Sequence, residues 1–363
     1  MTAADFAGIS NSAIAFASVV YVLAFLAHLV EWVLGRGVPV EPVVSPAGRG
    51  STTSACAQVG GTERTAVAPT SLVPRSARQD RPATAVLQVP PASGGSNSAG
   101  YAGGGDAAVR VEKYGRIGVA LTVVAGLLHL VALVTRGLGA DPVRVPWGNM
   151  YEFSLAGALG VTLFYLALLR KHHLRWLGPV VTGFNVVILM LAVLILYVPA
   201  GPLVPALDSY WLVIHVIAAI TATGAFTVGG MASVLFLIRA RAESRGQVAG
   251  AGYISRLPPS TVLDRVAYRM HAFGFPIWTF AALIAGPIWA EYAWGRYWGW
   301  DPKEVWAFIT WVVYAAYLHA RATAGWRGKA TAIIALVGLA TLLFNFVGIN
   351  FFFGNTSQHS YAG

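Results

Sequence analysis

The residues best suited to chemistry form one stretch near the end of the chain, 294–306, which reads Trp-Gly-Arg-Tyr-Trp-Gly-Trp-Asp-Pro-Lys-Glu-Val-Trp. Tryptophans at a membrane surface form an aromatic belt, but such a belt is sparse. A dense group around a charged turn instead predicts a flat aromatic surface with ionic edges, which suits a large planar ligand that carries carboxylates. The side chains of interest are Trp294, Trp298, Trp300, Trp306, Arg296, Asp301, Lys303 and Glu304.

Two of the eight histidines are predicted to lie at the level of these tryptophans. His215 follows Trp211 by four residues and lies about 7 Å below the start of its apolar run at 1.5 Å per residue. His359 lies a few residues beyond the last apolar run, in a tail short enough to fold back. We expect both to act as ligands. Haem is the ligand that combines a flat ring, carboxylates and two axial imidazoles.

His319 is predicted to lie at a second, deeper level. It is about fifteen residues into its apolar run, roughly 22 Å from the start. Two imidazoles on one iron lie within about 4 Å of each other, because each metal–nitrogen bond is about 2 Å. His215 and His319 therefore cannot share an iron. His28 and His271 fall near the depth of His319, and each is either its partner or part of an interhelical hydrogen bond. For His129 we expect a hydrogen bond alone.

The composition predicts a polytopic membrane protein. Apolar residues make up 56% of the chain and charged residues 11%, against about a quarter in soluble domains, and the mean hydropathy is +0.62. The net charge of +10 does not indicate a nucleic-acid partner, since the basic residues form no single patch. The single cysteine, Cys56, excludes an internal disulfide and a dithiol reductant. The first apolar run is preceded by no Lys or Arg, so we expect an uncleaved span.

Eight apolar runs are long enough to cross a bilayer, which takes about 20 residues. The predicted fold class is therefore all-α, with about eight transmembrane helices. Residues 36–113 are rich in Pro, Gly, Ser and Thr and are predicted to form a disordered loop. The chain then divides into a first span (1–35), this loop, and a seven-span core (114–363). The predicted spans are roughly 11–34, 115–135, 149–169, 176–198, 210–238, 272–290, 304–323 and 330–352.

The distribution of Lys and Arg predicts the orientation. With the N-terminus outside, the inner segments hold 21 of the 25 basic residues. The outer segments hold the other four, which are Arg136, Arg144, Arg296 and Lys303. Because inner loops carry the excess of positive charge, both termini and the tryptophan stretch are predicted to lie outside, and the 36–113 loop in the cytoplasm.

The stretch 294–306 resembles the tryptophan-rich "WWD" signature of haem-handling proteins, and most closely the CcsA/ResC type of the System II cytochrome c biogenesis pathway. The resemblance is close over about 145–363 and loose over the first two spans, and it does not include 36–113. Its other motifs are Pro-Trp-Gly-Asn-Met-Tyr-Glu at 146–152, Trp-Leu-Val-Ile-His at 211–215, Gly-Phe-Pro at 274–276, Tyr-Leu-His-Ala-Arg at 317–321 and His-Ser-Tyr at 359–361.

The resemblance implies a haem-handling subunit of cytochrome c synthase, which presents haem b at the outer membrane face for covalent attachment to apocytochrome c. It implies that His215 and His359 are the axial ligands there, and that His319 helps to hold haem within the membrane. The partner of His319 is then a histidine of a second membrane subunit, of the ResB/Ccs1 type. His28 or His271 remains open as a partner within the chain.

The chemistry expected at this site is thioether formation, in which two thiols of a Cys-x-x-Cys-His segment add across the haem vinyl groups. The chain has no such segment, so the nucleophiles belong to the substrate and the protein supplies positioning. The tryptophans are expected to hold the ring, while Arg296 and Lys303 bind the propionates. Asp301 has two open roles, one catalytic and one as the cap of the next helix with Glu304. Electrons and thiol reduction are expected from a separate reductant pathway.

Three other functions remain open at this point. The nearest is a haem exporter or haem chaperone without ligation activity, since the WWD signature also occurs in System I proteins. A solute transporter with a tryptophan gate predicts no bound haem. A structural subunit of a respiratory complex predicts that loss of His359 is tolerated. The preference for Arg over Lys indicates a bacterial plasma membrane as the location.

Overall fold

The computed structural model describes residues 1–35, 99–172, 174–201, 205–248, 253–323, 325–353 and 357–359. Within these ranges all regular structure is helical, which confirms the predicted all-α class. Two short π-helical segments, Ala281–Ala285 and Phe344–Gly348, interrupt the sixth and eighth predicted spans. The α-helices are α1 (Ala3–Leu34), α2 (Ala99–Leu138), α3 (Met150–His172), α4 (Gly178–Ile195), α5 (Tyr210–Ser244), α6 (Tyr253–Arg256), α7 (Ser260–Phe280), α8 (Gly286–Trp294), α9 (Pro302–Ala322), α10 (Lys329–Leu343) and α11 (Ile349–Phe352).

Among the described residues, seven helical segments are long and apolar enough to cross a membrane. The remaining predicted span is α9, which is 21 residues long and carries Lys303, Glu304 and Arg321. α9 packs against the segment 329–352: Trp306 packs on Phe344 at 4.2 Å between ring centroids, and the Thr310 hydroxyl lies 3.1 Å from that of Thr341. That segment is one of the seven, so α9 lies beside a helix able to cross a membrane.

The second helix begins earlier than the composition predicts. Residues 99–113 were assigned to the disordered loop, but α2 includes them and extends from Ala99 to Leu138. Two features favour a helix in the last part of this extension. Residues 106–113 contain no Gly or Pro, and Glu112 pairs with Arg116 one helical turn later, with Arg116 Nε 2.9 Å from Glu112 Oε1. The rest of the predicted loop, 36–98, lies outside the described residues.

The spanning helices form two groups, each with an apolar cluster of its own, and a further cluster of buried residues from α3, α4, α5, α7 and α10 joins them. The first four helices pack around buried residues such as Tyr21 and Leu155. In the second group α5, α7, α9 and α10 pack around Phe226 and Tyr314, whose rings stack at 3.8 Å. The two groups meet where α3 packs against α5. The contact between α3 and α5 forms one wall of a cavity.

Candidate functional site

A cavity of about 420 Å³ lies at the end of the bundle where residues 294–301 connect α8 to α9, which we call the tryptophan end. The volume is in the range of small-molecule sites, about 300–1,000 Å³. Its walls come from α3, α4, α5, α7, α8, α9 and the segment from α10 to α11 and are mostly apolar. The lining includes side chains that could bind a ligand or carry charge, among them His215, Trp289, Lys303, Glu304 and His359.

His215 is held by an irregular turn of the neighbouring helix. Its Nδ1 lies 2.8 Å from the carbonyl oxygen of Ala281, the first residue of the π-helical segment. The same oxygen accepts the amide N–H of Gly286 five residues later. A Cβ at Gly286 would come within 3.2 Å of the imidazole, so a glycine leaves room for the ring. Such π-turns are frequent at functional sites, and this one fixes Nδ1 and leaves Nε2 for the cavity.

His359 is held by the carboxylate of Asp301. Its Nδ1 lies 3.1 Å from Asp301 Oδ1, which also accepts the Ser357 hydroxyl at 2.8 Å, while Oδ2 accepts the Gln358 amide at 2.7 Å. Burial alone raises the pKa of Asp301, but the hydrogen bonds from His359, Lys303 N–H and Ser357 outweigh burial and hold that pKa well below its ordinary value. Asp301 is therefore ionised, and it ties the described part of the C-terminal tail to the start of α9.

Asp301 also caps α9, as the sequence predicts. It accepts the Lys303 amide at 2.9 Å, and Glu304 accepts the Asp301 amide at 3.0 Å, which together form a capping box with Pro302 at the first helical position. Glu304 additionally accepts the Gly299 amide at 2.8 Å and so closes the loop before the helix. The capping role is confirmed, and the same carboxylate positions His359.

Trp289 contacts both histidines and was missed by the sequence analysis. Its ring stacks on His215 at 6.0 Å and meets His359 edge-on at 5.4 Å, and its Nε1 donates to Ala206 O at 2.9 Å. The residue is 3% exposed. The signal available in the sequence was its position on the same helix as Trp294, one of the predicted ligand-binding tryptophans, which meets both Trp289 and His359.

The tryptophans of the signature do not form the flat surface that the sequence predicts. Trp294 meets Trp289 at an interplanar angle of 64°, and Trp298 meets Trp300 at 85°. Trp298 lines the cavity, whereas Trp300 is 67% exposed with a φ of 58°. Trp306 packs on α10 instead. The rings point in different directions because the loop 295–301 turns the chain between two antiparallel helices.

The two predicted propionate-binding cations lie in different surroundings. Lys303 lines the cavity, and its Nζ donates to the carbonyl of His359 at 3.0 Å and to Asn350 Oδ1 at 3.3 Å. Arg296 lies on the outside of the loop, where it donates to Gln358 and approaches Glu304 at 3.8 Å. Both cations therefore help to fix the tail, and Lys303 also faces the cavity.

His28, His129, His271 and His319 do not line the cavity. His319 is exposed in the last turn of α9, where the carbonyl of His319 accepts the Thr323 amide. His28 is buried 3.4 Å from Glu31, and His271 is buried against the rings of Tyr314 and Tyr317. His129, fully buried, meets the ring of Tyr21. The surroundings of His28 and His271 are thus those of interhelical packing, and His319 faces outward.

A buried ion cluster near the tryptophan end also escaped the sequence analysis, which counted its arginines only as outer charges. Glu152 accepts from Arg136 Nε at 2.9 Å and from Arg144 at 2.7 Å, and it also accepts the Gly148 amide at 2.8 Å. Glu152 is 1% exposed and Arg136 2%. The cluster fixes residues 144–152, which include the cavity-lining Trp147, Asn149 and Met150.

His215 and His359 each have a partner at one ring nitrogen, as metal-binding histidines usually do. Metal-binding histidines usually bind a carboxylate or a backbone carbonyl through their second nitrogen, which fixes the ring. His215 has a backbone carbonyl in this position and His359 has a carboxylate. The family model for the cytochrome c assembly protein matches residues 147–355, which includes the whole cavity except His359. The chain belongs to the cytochrome c assembly family.

Relatives of known function in this family extend the match beyond the cavity. The CcsA cytochrome c biogenesis protein of Synechococcus sp. (strain JA-2-3B'a(2-13)) is 34% identical over 319 residues, which cover 71% of this chain and 89% of the relative. The CcsA protein of Guillardia theta is 34% identical over 262 residues, covering 68% and 85%. The resemblance found from the signature is thereby confirmed, and the protein handles haem in cytochrome c assembly.

A solved structure shows the same fold at larger size. The cytochrome c haem lyase CcmF superposes with a TM-score of 0.53 and 16% identity, and the match covers 96% of this chain and 47% of that chain. The chain thus spans about half the length of this structure. At this identity the likeness concerns the arrangement of the helices.

Proposed function

We propose that this chain holds haem b in the cavity between His215 and His359 and presents it for thioether formation with the Cys-x-x-Cys-His segment of apocytochrome c. The observation that carries the proposal is the pair of imidazoles, each fixed through Nδ1 by a partner within the protein and each in contact with Trp289. Two pre-positioned ligands bind iron without the entropic cost of ordering their side chains.

The contribution of the protein to the reaction is positioning and exclusion of water. Trp289 and Trp298 offer apolar ring surfaces at the cavity, Trp294 packs on the ring of His359, and Lys303 offers a cation for a propionate. The substrate supplies both thiols, and each S–H adds across a vinyl group with its proton going to the other vinyl carbon. Holding the vinyl edge within reach of a bound thiol makes the addition effectively unimolecular.

The partner and orientation belong to the same proposal. His319 is exposed on the surface of the bundle, which suits an iron ligand whose second histidine comes from a ResB/Ccs1-type subunit. The excess of Lys and Arg in the segments at the other end supports a tryptophan end that faces outward from a bacterial plasma membrane. Electrons and thiol reduction then come from a separate reductant pathway.

The test is assembly of a reporter cytochrome in cells that lack their own maturation system and co-express this chain with a ResB-type partner. His215→Ala and His359→Ala are expected to abolish covalent haem attachment and to change the Soret band of the purified complex. Added imidazole is expected to restore part of both, because it replaces the missing side chain. The matched control is Gln358→Ala, which keeps the main-chain contact of the tail with Asp301.

Each result separates the proposal from its alternatives. Full assembly by both histidine variants would contradict the axial-ligand role. A Soret band that responds to both variants, with no covalent product under any condition, would favour a haem exporter or chaperone without ligation activity. Absence of any haem from wild-type protein would favour a transporter.

A further inference from the structure

The cavity extends sideways from the histidines to the membrane-facing surface of the bundle, between α4 and the segment formed by α10 and α11. Its lining includes Leu191 and Ile195 on one side and Leu343, Val347 and Phe351 on the other. These side chains are 43–67% exposed. We call these two rows the lips of the cleft. A cavity lined by exposed apolar side chains on two helices is open to lipid between them.

The spacing of the lip residues on α4 shows which side of this helix lines the cavity and which side faces lipid. Leu191 and Ile195 are four residues apart and lie on one face of α4. Leu194, one residue before Ile195, is 77% exposed and does not line the cavity. One face of α4 is thus turned to lipid, and the adjacent edge is turned to the cleft.

The packing of the helices explains why the cleft stays open. α4 packs mainly against α1 and α3, and α10 packs mainly against α9 and α5. The floor between them is the contact of α3 with α5, where Gly160 and Gly224 bring the two backbones close: a Cβ at Gly224 would lie 3.4 Å from Gly160 O. α4 and α10 are therefore each packed against other helices on the side away from the cavity, and they face each other across it.

We propose that haem reaches the site between His215 and His359 sideways from the bilayer, through the cleft between α4 and α10. This inference rests on the proposed function, in which the same cavity holds haem. Haem has an apolar ring and two carboxylates, so it partitions into a bilayer with its ring among the acyl chains. The cleft offers apolar walls at its lips, and at its far end it offers the Lys303 ammonium and the imidazoles of His215 and His359.

A buried polar group directly after α10 also indicates a ligand with polar atoms. Asn345 lies in the π-helical segment, lines the cavity and is 7% exposed. Within the described part of the chain its Oδ1 has no hydrogen-bond partner. An unpaired buried polar atom is costly unless a ligand or water completes its hydrogen bond. The cleft therefore suits a ligand that has both apolar and polar groups, and not an acyl chain alone.

The test measures haem uptake by the full chain, purified without haem, reconstituted in nanodiscs and mixed with phospholipid vesicles that contain haem. Growth of the Soret band gives the rate. Leu191→Trp and Val347→Trp narrow the cleft and are expected to slow uptake about tenfold or more, with the final spectrum unchanged. Leu194→Trp and Val337→Trp place the same ring on the membrane-facing surface of the same helices, outside the cavity, and are expected to keep the wild-type rate.

The opposite change keeps the test decisive if a tryptophan variant does not fold. Leu191→Ala with Val347→Ala widens the cleft and is expected to accelerate uptake. Wild-type uptake rates in both the narrowed and the widened proteins would overturn the sideways route. Loss of uptake in His319→Ala, with the lip residues unchanged, would also overturn it, because it would indicate a path through the bundle. A spectrum that does not respond to His215→Ala would overturn the proposed function instead.

Discussion

The substitution Asp301→Asn separates two tasks that one carboxylate performs. The carboxylate caps α9 through the Lys303 amide and anchors the tail through Ser357, Gln358 and His359. Asparagine is as good a helix cap as aspartate, so α9 is expected to keep its start. The tail loses the negative charge that its three donors face, and one of the two acceptor oxygens becomes an NH₂ group.

The magnitude follows from the number of contacts. A hydrogen bond to a charged group contributes about 1.5–3 kcal/mol and one between neutral groups about 0.5–1.5 kcal/mol, so each of the three tail contacts loses about 1 kcal/mol. The sum is about 3 kcal/mol, which corresponds to a decrease of about 100-fold in the equilibrium constant for holding His359 in place. The free energy of unfolding of the bundle should change little, because the contacts concern the tail.

The assay uses carbon monoxide as a competitor for the sixth position of ferrous haem in the purified complex. With both imidazoles bound to the iron as proposed, carbon monoxide would bind only when one of them leaves, so its apparent affinity would report how firmly His359 is held. We expect Asp301→Asn to raise that affinity by about 100-fold, since a weaker intramolecular competitor is easier to displace. His359→Ala sets the upper limit, and Gln358→Ala serves as a control that keeps the carboxylate.

An unchanged affinity for carbon monoxide in Asp301→Asn, with normal haem content, would refute this account of the tail. The same holds if the affinity rises equally in Gln358→Ala, because the carboxylate would then not be the anchor. A large loss of folded protein would indicate that the capping role dominates, which a thermal unfolding curve of the haem-free protein would detect.

Three further predictions concern the frame around the site. Glu152→Ala leaves two buried arginines without their carboxylate and should destabilise the protein by about 3–5 kcal/mol. Glu112→Ala removes two solvent-accessible ion pairs, with Arg116 and Arg175, each worth less than about 1 kcal/mol; thermal unfolding in detergent compares the two variants. Gly178→Ala places a Cβ 2.6 Å from the ring of His28 and should cost about 1–3 kcal/mol, and adding His28→Ala should recover part of it. Trp289→Phe removes the hydrogen bond to the 205–207 turn and should shorten haem retention, followed as decay of the Soret band; equal retention would contradict a role for Trp289 in holding the site together.

The sequence by itself determined the features that depend on neighbouring residues. Apolar runs of about 20 residues specify spanning helices, because every backbone polar group in lipid must be paired within the segment. The Asp-Pro-Lys-Glu turn specifies the start of α9, because its capping hydrogen bonds join residues two and three apart. The signature likewise identifies the family, since its residue types and spacing are read directly from the chain.

Only the tertiary structure decided how the site is built. The carbonyl that fixes His215 belongs to Ala281, 66 residues later, and the carboxylate that fixes His359 lies 58 residues before it. Trp289 contacts both histidines because α8 packs beside α5, and the tryptophans of the signature diverge because their loop joins two antiparallel helices. Contacts of this kind depend on which helices meet and at what rotation. The side-chain spacing of one segment carries no information about the partner it will face.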